Sequence, residues 1–292
     1  MCLAETAGAV HESHDHHHSH DHEHEHEHDH SVSRRRLLAG GLAVTGGALA
    51  ATVPSLSASA HGGRHRRRVV DLTHRLVKTF PTFDGAQPTD EVVNDFETTG
   101  FYSKRWEISE HTGTHIDTPG HFNDGMRLVD QLTAEELIAP IVVIDIKKKA
   151  RQDANAMVDP DDLRRWERRH GRIPRGALVA MNSGWAAKAG DPAAFLGGPA
   201  FPEFNFPGFS IEATNWLLRH RDPVGIGVDT VSLDPGNSTT FDVHVSFLGA
   251  DRYGIENLNG LDRLPPRGAE AFVGPIPWED GSGSPCRVLA LR

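Results

Sequence analysis

His111-Thr-Gly-Thr-His115-Ile-Asp117-Thr-Pro-Gly-His121 puts three histidines and one carboxylate into a single short stretch. The stretch does not read as a helix, because Gly113 interrupts it and Pro119-Gly120 ends it. Read as a strand, it sends residues 111, 113, 115 and 117 to one face, since side chains alternate with period two. His111, His115 and Asp117 then point the same way. The missing side chain at Gly113 leaves room there for an ion or a substrate. His121, past the Pro-Gly turn, folds back over that face. Nitrogen and oxygen ligands this dense, with no cysteine among them, suit zinc or manganese with positions left open for chemistry.

The flanking sequence supplies the sheet such a strand needs. Val69–His74 predicts an opening strand, and Tyr102–Ile108 a second one leading into the motif. Residues 81–100, rich in Pro, Gly, Asp and Thr, predict a long loop, a common place for a substrate lid. The β-branched run Ile141–Ile146, then Ala177–Met181 and Val224–Val231, predict further strands, with late strands at Phe272-Val273 and Val288–Leu291. Helices are expected over Thr133–Ile138, where Thr133 and Glu136 form a capping box, from Asp159 to about His170, and from Ser210 to His220. Strands and helices alternate only in part. That predicts one mixed α/β domain rather than a strict doubly wound sheet.

Two more candidates lie far along the chain, His244 in Phe241-Asp-Val-His-Val and Glu256 in Tyr253-Gly-Ile-Glu-Asn-Leu, with a satisfied core histidine and a surface glutamate as their other readings. Both sit in mildly apolar surroundings, where an unpaired ionised glutamate is costly and coordination removes that cost. Asp229 and Asp234 are candidates for supporting the site from outside, or for turn and strand-end roles. Phe80, Phe83 and Trp185 are candidates for an apolar substrate pocket. His74, His170 and His220 read as structural or exposed. Gly225-x-Gly227 lacks the third glycine of a dinucleotide fingerprint and reads as close strand packing.

The N-terminus has a different character. Residues 1–32 form a leader in which residues 11–30 hold 11 of the 20 histidines, alternating with Asp and Glu. Such a stretch has no apolar surface to bury and is expected to be disordered. It reads first as the plain n-region of a signal, with a metal-collecting segment as the sharper alternative. Residues 33–60 carry Ser33-Arg-Arg-Arg-Leu-Leu38, a weakly apolar run and Ala58-Ser-Ala60. This is the pattern of a secretory signal of the twin-arginine type. Export through that machinery and cleavage near Ala60 would leave residues 61–292, enough for one sizeable domain. That part holds 32 acidic and 27 basic residues, a net charge of −5 against −10 for the whole chain. No clustered basic face suggests nucleic acid. Cys286 is the one cysteine left after Cys2 departs with the signal, so no internal disulfide can form.

The combined pattern resembles the cyclase-like metal hydrolases, a family that includes bacterial kynurenine formamidases and isatin hydrolases. The resemblance runs from Asp71-Leu-Thr through the His111–His121 motif, Asn182-Ser-Gly-Trp185, Gly227-Val-Asp-Thr230 and the His244-to-Glu256 spacing to Gly274-Pro-Ile. It implies a swivelling β/β/α fold with peripheral helices and a homodimer or larger assembly. It implies that His111, His115 and Asp117 hold a first metal, with Asp117 bridging to a second at His244 and Glu256. It makes His121 the acid/base group; on the residues alone a fourth ligand or a structural histidine are its other readings. The implied activity is hydrolysis of a small amide, lactam or ester. A metal of this kind lowers the pKa of a bound water towards ~7, giving hydroxide at neutral pH. A non-catalytic envelope metal-binding protein and a metal-dependent cyclase or dehydratase are the alternatives. Pro81-Thr-Phe-Asp-Gly-Ala86 departs from the Pro-x-Trp-Pro-Gly-Asp stretch of the formamidases, with Phe83 at the tryptophan position, and points away from that specific substrate.

Overall fold

The computed structural model describes residues 68–292, so the leader and signal segment expected over residues 1–60 lie outside the described residues. In chain order the strands are β1 (Val69–Asp71), β2 (Thr89–Asn94), β3 (Ser103–Glu107), β4 (His115–Asp117), β5 (Ile138–Asp145), β6 (Met157–Val158), β7 (Leu178–Asn182), β8 (Gly208–Phe209), β9 (Gly225–Gly227), β10 (Tyr253–Glu256), β11 (Ala269–Pro275) and β12 (Gly283–Leu291). The helices are α1 (Lys147–Ala150), α2 (Pro160–His170), α3 (Pro192–Leu196) and α4 (Ile211–His220). Among the described residues, no helix is long and apolar enough to cross a membrane.

Eight strands form one mixed sheet in the order β1-β12-β11-β5-β7-β9-β10-β4, and β4 also pairs with β12. The circuit from β4 round to β12 therefore closes on itself. Strands β5, β7, β9 and β10 are parallel, and the remaining pairs are antiparallel. Parallel neighbours need crossovers, and α2 and α4 lie in two of them. The partial alternation of strand and helix thus gives the mixed α/β domain that the sequence predicts.

Period-two alternation divides the core. On β5, Ile141 and Val143 pack with Leu178, Ala180, Ile255, Ala271 and Val288 inside the strand circuit. The intervening Val142 and Ile144 pack outward with Val179, Met181 and Ile226 against Leu163 and Trp166 of α2 and Ala213 and Leu217 of α4. Both helices start where the sequence places them. Asp159 caps α2, accepting from Asp162 N at 2.9 Å, with Pro160 in the first turn. Ser210 caps α4, accepting from Ala213 N at 3.2 Å.

Some local expectations differ from the structure. Residues 81–100 are not all loop, because Thr89–Asn94 pairs with β3 as a hairpin. Cross-strand charge pairs, Glu91 with Arg105 and Asp90 with Lys104, fix its register. Thr133–Ile138 makes the capping-box bonds but only a turn, because β5 begins at Ile138 and leaves no length for a helix. The strand expected over Val224–Val231 is confined to Gly225–Gly227. The chain leaves the sheet there, and the Asp229 carboxylate turns to accept from the amides of Ser183 and Trp185.

Candidate active site

Ile116, in the middle of β4, is wholly buried in the core inside the strand circuit. Alternation therefore sends its neighbours His115 and Asp117 to the other face. β10 lies beside β4 in a register that sets Glu256 across from His115. β12, on the other side of β4, sets Gly283 across from Asp117. A Cβ at Gly283 would lie 2.5 Å from Cε1 of His111, so this glycine admits the His111 ring. His244 opens a π-helical turn over His244–Leu248, an irregularity found mostly at functional sites.

His111 itself is not on β4. It lies in a turn just before the strand, and Gly113, at φ +68°, lets the chain bend between His111 and His115. The single strand face expected for residues 111 to 117 is thus replaced by a turn and a short strand. Gly113 does not make the room expected of it either, since a Cβ there would face Leu76. Its contribution is its carbonyl, which accepts from His115 Nδ1 at 2.9 Å and from Asn257 Nδ2 at 2.7 Å.

The five side chains predicted as ligands converge. His111, His115 and Asp117 form one group, and Asp117, His244 and Glu256 a second, each with donor atoms within 4.8 Å of one another. Asp117 belongs to both. Its Oδ1 lies 2.7 Å from His111 Nδ1 and 3.3 Å from His115 Nε2, and its Oδ2 lies 3.7 Å from His244 Nε2. Glu256 presents Oε2 to His115 Nε2 at 3.4 Å and Oε1 to His244 Nε2 at 3.2 Å.

Each histidine is tied on its other nitrogen, which fixes the nitrogen left facing the cluster. His115 Nδ1–H donates to Gly113 O. His244 Nδ1 lies 2.6 Å from Asp234 Oδ2, and the same carboxylate accepts from the amides of Val243 and His244. Asp234 therefore braces the site from outside, whereas Asp229 holds a turn. His111 Nε2 meets Ser282 Oγ at 3.0 Å.

The residues present fit a divalent cation. His115 Nε2 and Asp117 Oδ2 are buried inside the cluster with no hydrogen-bond partner. Buried polar atoms are normally satisfied, so two orphans in one cluster call for a partner that the surrounding side chains do not supply. The donor set is imidazole and carboxylate, which suits zinc or manganese. Charge argues the same way. Burial and the neighbouring Asp117 charge push Glu256 above the ordinary carboxylate range. Burial pushes Asp117 up as well, but the imidazoles of His115 and His111 outweigh it and hold it well below that range. Burial draws His115 and His244 down, yet their carboxylate neighbours lift them to about 9 and about 10. Protons and a divalent cation compete for the same lone pairs.

His121 ends a short 3-10 turn over Pro119–His121 and stacks on His111, with ring centroids 3.8 Å apart. Burial, reinforced by the imidazoles around it, brings His121 down to about 4. It is a neutral imidazole at pH 7 and a weaker base than an unperturbed histidine.

His111, His121, His244 and Glu256 form the floor of a cavity of about 270 Å³. Its walls are Phe83, Phe122 and Phe241, with ring centroids 5.8 Å apart for Phe83–Phe241 and 5.4 Å for Phe122–Phe241. Phe83 thus stands where a substrate contact was predicted. Trp185 does not: it is buried behind the wall, with Nε1 donating to Phe195 O at 2.7 Å, in the aromatic cluster against which Phe83 packs. Phe122 and Phe241 were missed, although each stands close in sequence to His121 or His244. His74 rests against Phe80, and His170 and His220 end α2 and α4, outside the lining of the cavity.

The family model described as "Putative cyclase" matches residues 70–235. The isatin hydrolase of Roseibium aggregatum is 33% identical over 243 residues, spanning 76% of this chain and 91% of that protein. A kynurenine formamidase of Geobacillus thermodenitrificans is 29% identical over 230 residues, spanning 76% of this chain and 96% of that one. The solved isatin hydrolase A of Ralstonia solanacearum superposes with a TM-score of 0.74 at 39% identity, covering 84% of this chain and 99% of its own. These relatives are hydrolases of C–N bonds other than peptide bonds. The chain belongs to the cyclase-like family of metal-dependent hydrolases.

Proposed function

We propose that this protein hydrolyses the amide bond of a small aromatic lactam, of which isatin is the nearest model, using zinc or manganese. One observation carries the reading: a cavity lined by three phenylalanines reaches His111, His121, His244 and Glu256, three of which belong to the two ligand groups that share Asp117. The walls suit a planar aromatic ring, because edge and offset contacts between rings add about 0.5–1.5 kcal/mol each beyond burial. The similarity to isatin hydrolases, and Phe83 in place of the formamidase tryptophan, favour a cyclic amide over a formyl amide.

His111, His115 and Asp117 would hold the first ion, and Asp117 Oδ2, His244 and Glu256 offer a place for a second. A divalent ion held there supplies a Lewis acid and lowers the pKa of a water that it binds. His121 does the proton work. Its neutral ring accepts a proton from the attacking water and returns it to the leaving nitrogen as the C–N bond breaks. The products are a carboxylate and an aryl amine on one molecule. The aromatic walls hold the ring flat over the floor and exclude bulk water.

We also propose that the protein works outside the cytoplasm as a homodimer or larger assembly. The twin-arginine segment and Ala58-Ser-Ala60 support the export, and the family resemblance supports the assembly.

A substrate panel tests the activity: isatin, an N-formyl aryl amine, an aliphatic lactam and an aryl ester, each with zinc or manganese supplied. Isatin opening fastest supports the reading. Preference for the N-formyl aryl amine would move the substrate to the formamidase type. No turnover of any substrate by metal-supplied protein would refute it.

A further inference from the structure

We infer that Glu110 and Ser282 are a positioning pair that fixes the orientation and tautomer of His111, making Nδ1 its ligand atom. The inference rests on the metal-centre reading above. His115 and His244 are braced by groups that can only accept, a backbone carbonyl and a carboxylate. His111 is braced by a hydroxyl, and a hydroxyl can donate or accept. Left to itself, Ser282 Oγ would not decide which way His111 is protonated.

Glu110 decides it. Its Oε2 accepts from Ser282 Oγ at 2.6 Å and from Ser282 N at 2.9 Å. Oε2 therefore takes the Ser282 hydroxyl hydrogen. The hydroxyl has only lone pairs left for His111, so His111 Nε2 must carry the hydrogen of the 3.0 Å bond. In the neutral ring, Nδ1 then points a lone pair at Asp117 Oδ1, 2.7 Å away. Two lone pairs at that separation repel unless a cation lies between them. The Glu110–Ser282 pair thus creates a demand for positive charge where the first ligand group converges.

The sequence neighbours explain how one chain builds this. Glu110 immediately precedes His111, and Ser282 immediately precedes Gly283, the residue whose bare Cα admits the His111 ring. The amide of Thr118 and its hydroxyl both donate to Ser282 O, at 3.1 and 2.8 Å, which pins this end of β12 to the motif. Such outer partners of a ligating histidine typically change metal affinity 10–100-fold when removed.

The test is metal affinity by competition titration, compared among variants of the same chain so that the histidine-rich leader contributes equally to all. Ser282→Ala and Glu110→Ala are each expected to weaken zinc or manganese binding about 10–100-fold. Glu110→Gln should bind as tightly as wild type, since the glutamine carbonyl still accepts from both Ser282 groups. Glu110→Ala keeps the inference testable should Ser282→Ala fail to fold. A second readout is the 15N spectrum of the zinc-loaded chain, with His111 signals assigned by their loss in His111→Asn. They should show Nδ1 ligated and Nε2 protonated. Ligation through Nε2, or wild-type affinity in both alanine variants, would overturn the inference. If His111→Ala also binds as tightly as wild type, the metal-centre reading falls with it. If His111→Ala weakens binding and the two alanine variants do not, only the pair is wrong.

Discussion

In the cluster at and behind the floor of the cavity, His115, Asp117, His244 and Glu256 are each at most 5% exposed, and the outer nitrogens of both histidines are tied by a fixed acceptor. On its walls, Phe83, Phe122 and Phe241 meet mainly through tilted and edge-on rings, with no polar atom to satisfy. Phe241 even takes φ +51°, a conformation bulky residues rarely adopt. The floor tolerates little change, because moving one polar atom strands another in a dry place. The walls can exchange one apolar shape for another at modest cost. On the proposed function, the chemistry belongs to the floor and the choice of substrate to the walls.

Substitutions should separate the two. Asp117→Ala takes a carboxylate from both ligand groups and should abolish turnover of any substrate, measured by steady-state kinetics with metal in excess. His121→Ala should lower kcat about 10²–10⁴-fold, the usual value of a positioned proton carrier. Metal content should stay at wild type, because His121 belongs to neither ligand group; loss of metal would make it a ligand. Asp234→Ala frees the His244 ring and should weaken metal binding about 10–100-fold, with a smaller loss of kcat once metal saturates. Phe83→Ala sits at the small end. It should raise KM for an aromatic lactam about 3–10-fold, from ~0.5–1.5 kcal/mol of lost ring contact, and leave kcat and metal affinity alone. A wall substitution that removed metal, or a floor substitution that changed only KM, would break the division.

The same division explains what could be read from sequence. The ligands on the floor are legible because metal chemistry restricts residue types severely. His111, His115 and Asp117 stand out by density, whereas His244 and Glu256 stand out only through their spacing and the family resemblance. What joins them is not local. Glu256 reaches His115 only because β10 pairs with β4 in one particular register, and β10 itself was not foreseen. Gly283 makes room for His111 from the far end of the chain, a role that no spacing rule assigns. Glu110 and Ser282 escaped notice because serines and glutamates are common and their meeting depends on how the strand circuit closes. The walls were half legible. Phe83 lines the cavity and Trp185 lies behind it, since an aromatic residue reads the same from sequence whether it faces a cavity or the cluster behind it. For the fold, β5, β7 and both capped helices followed from apolar runs and capping, while β11 and β12 were read only in part and β2 as loop. The short β9 and the turn at Thr133 did not, because tertiary contacts of Asp229 and the early start of β5 decide them.

Metal content tests the central claim most directly, measured side by side on the wild-type chain and on Asp117→Ala. Both chains carry the same histidine-rich leader, so whatever it binds cancels in the difference. Wild type should hold one to two more zinc or manganese ions per chain than the variant. Equal content in the two chains would contradict it, because Asp117 is the one residue that both ligand groups share.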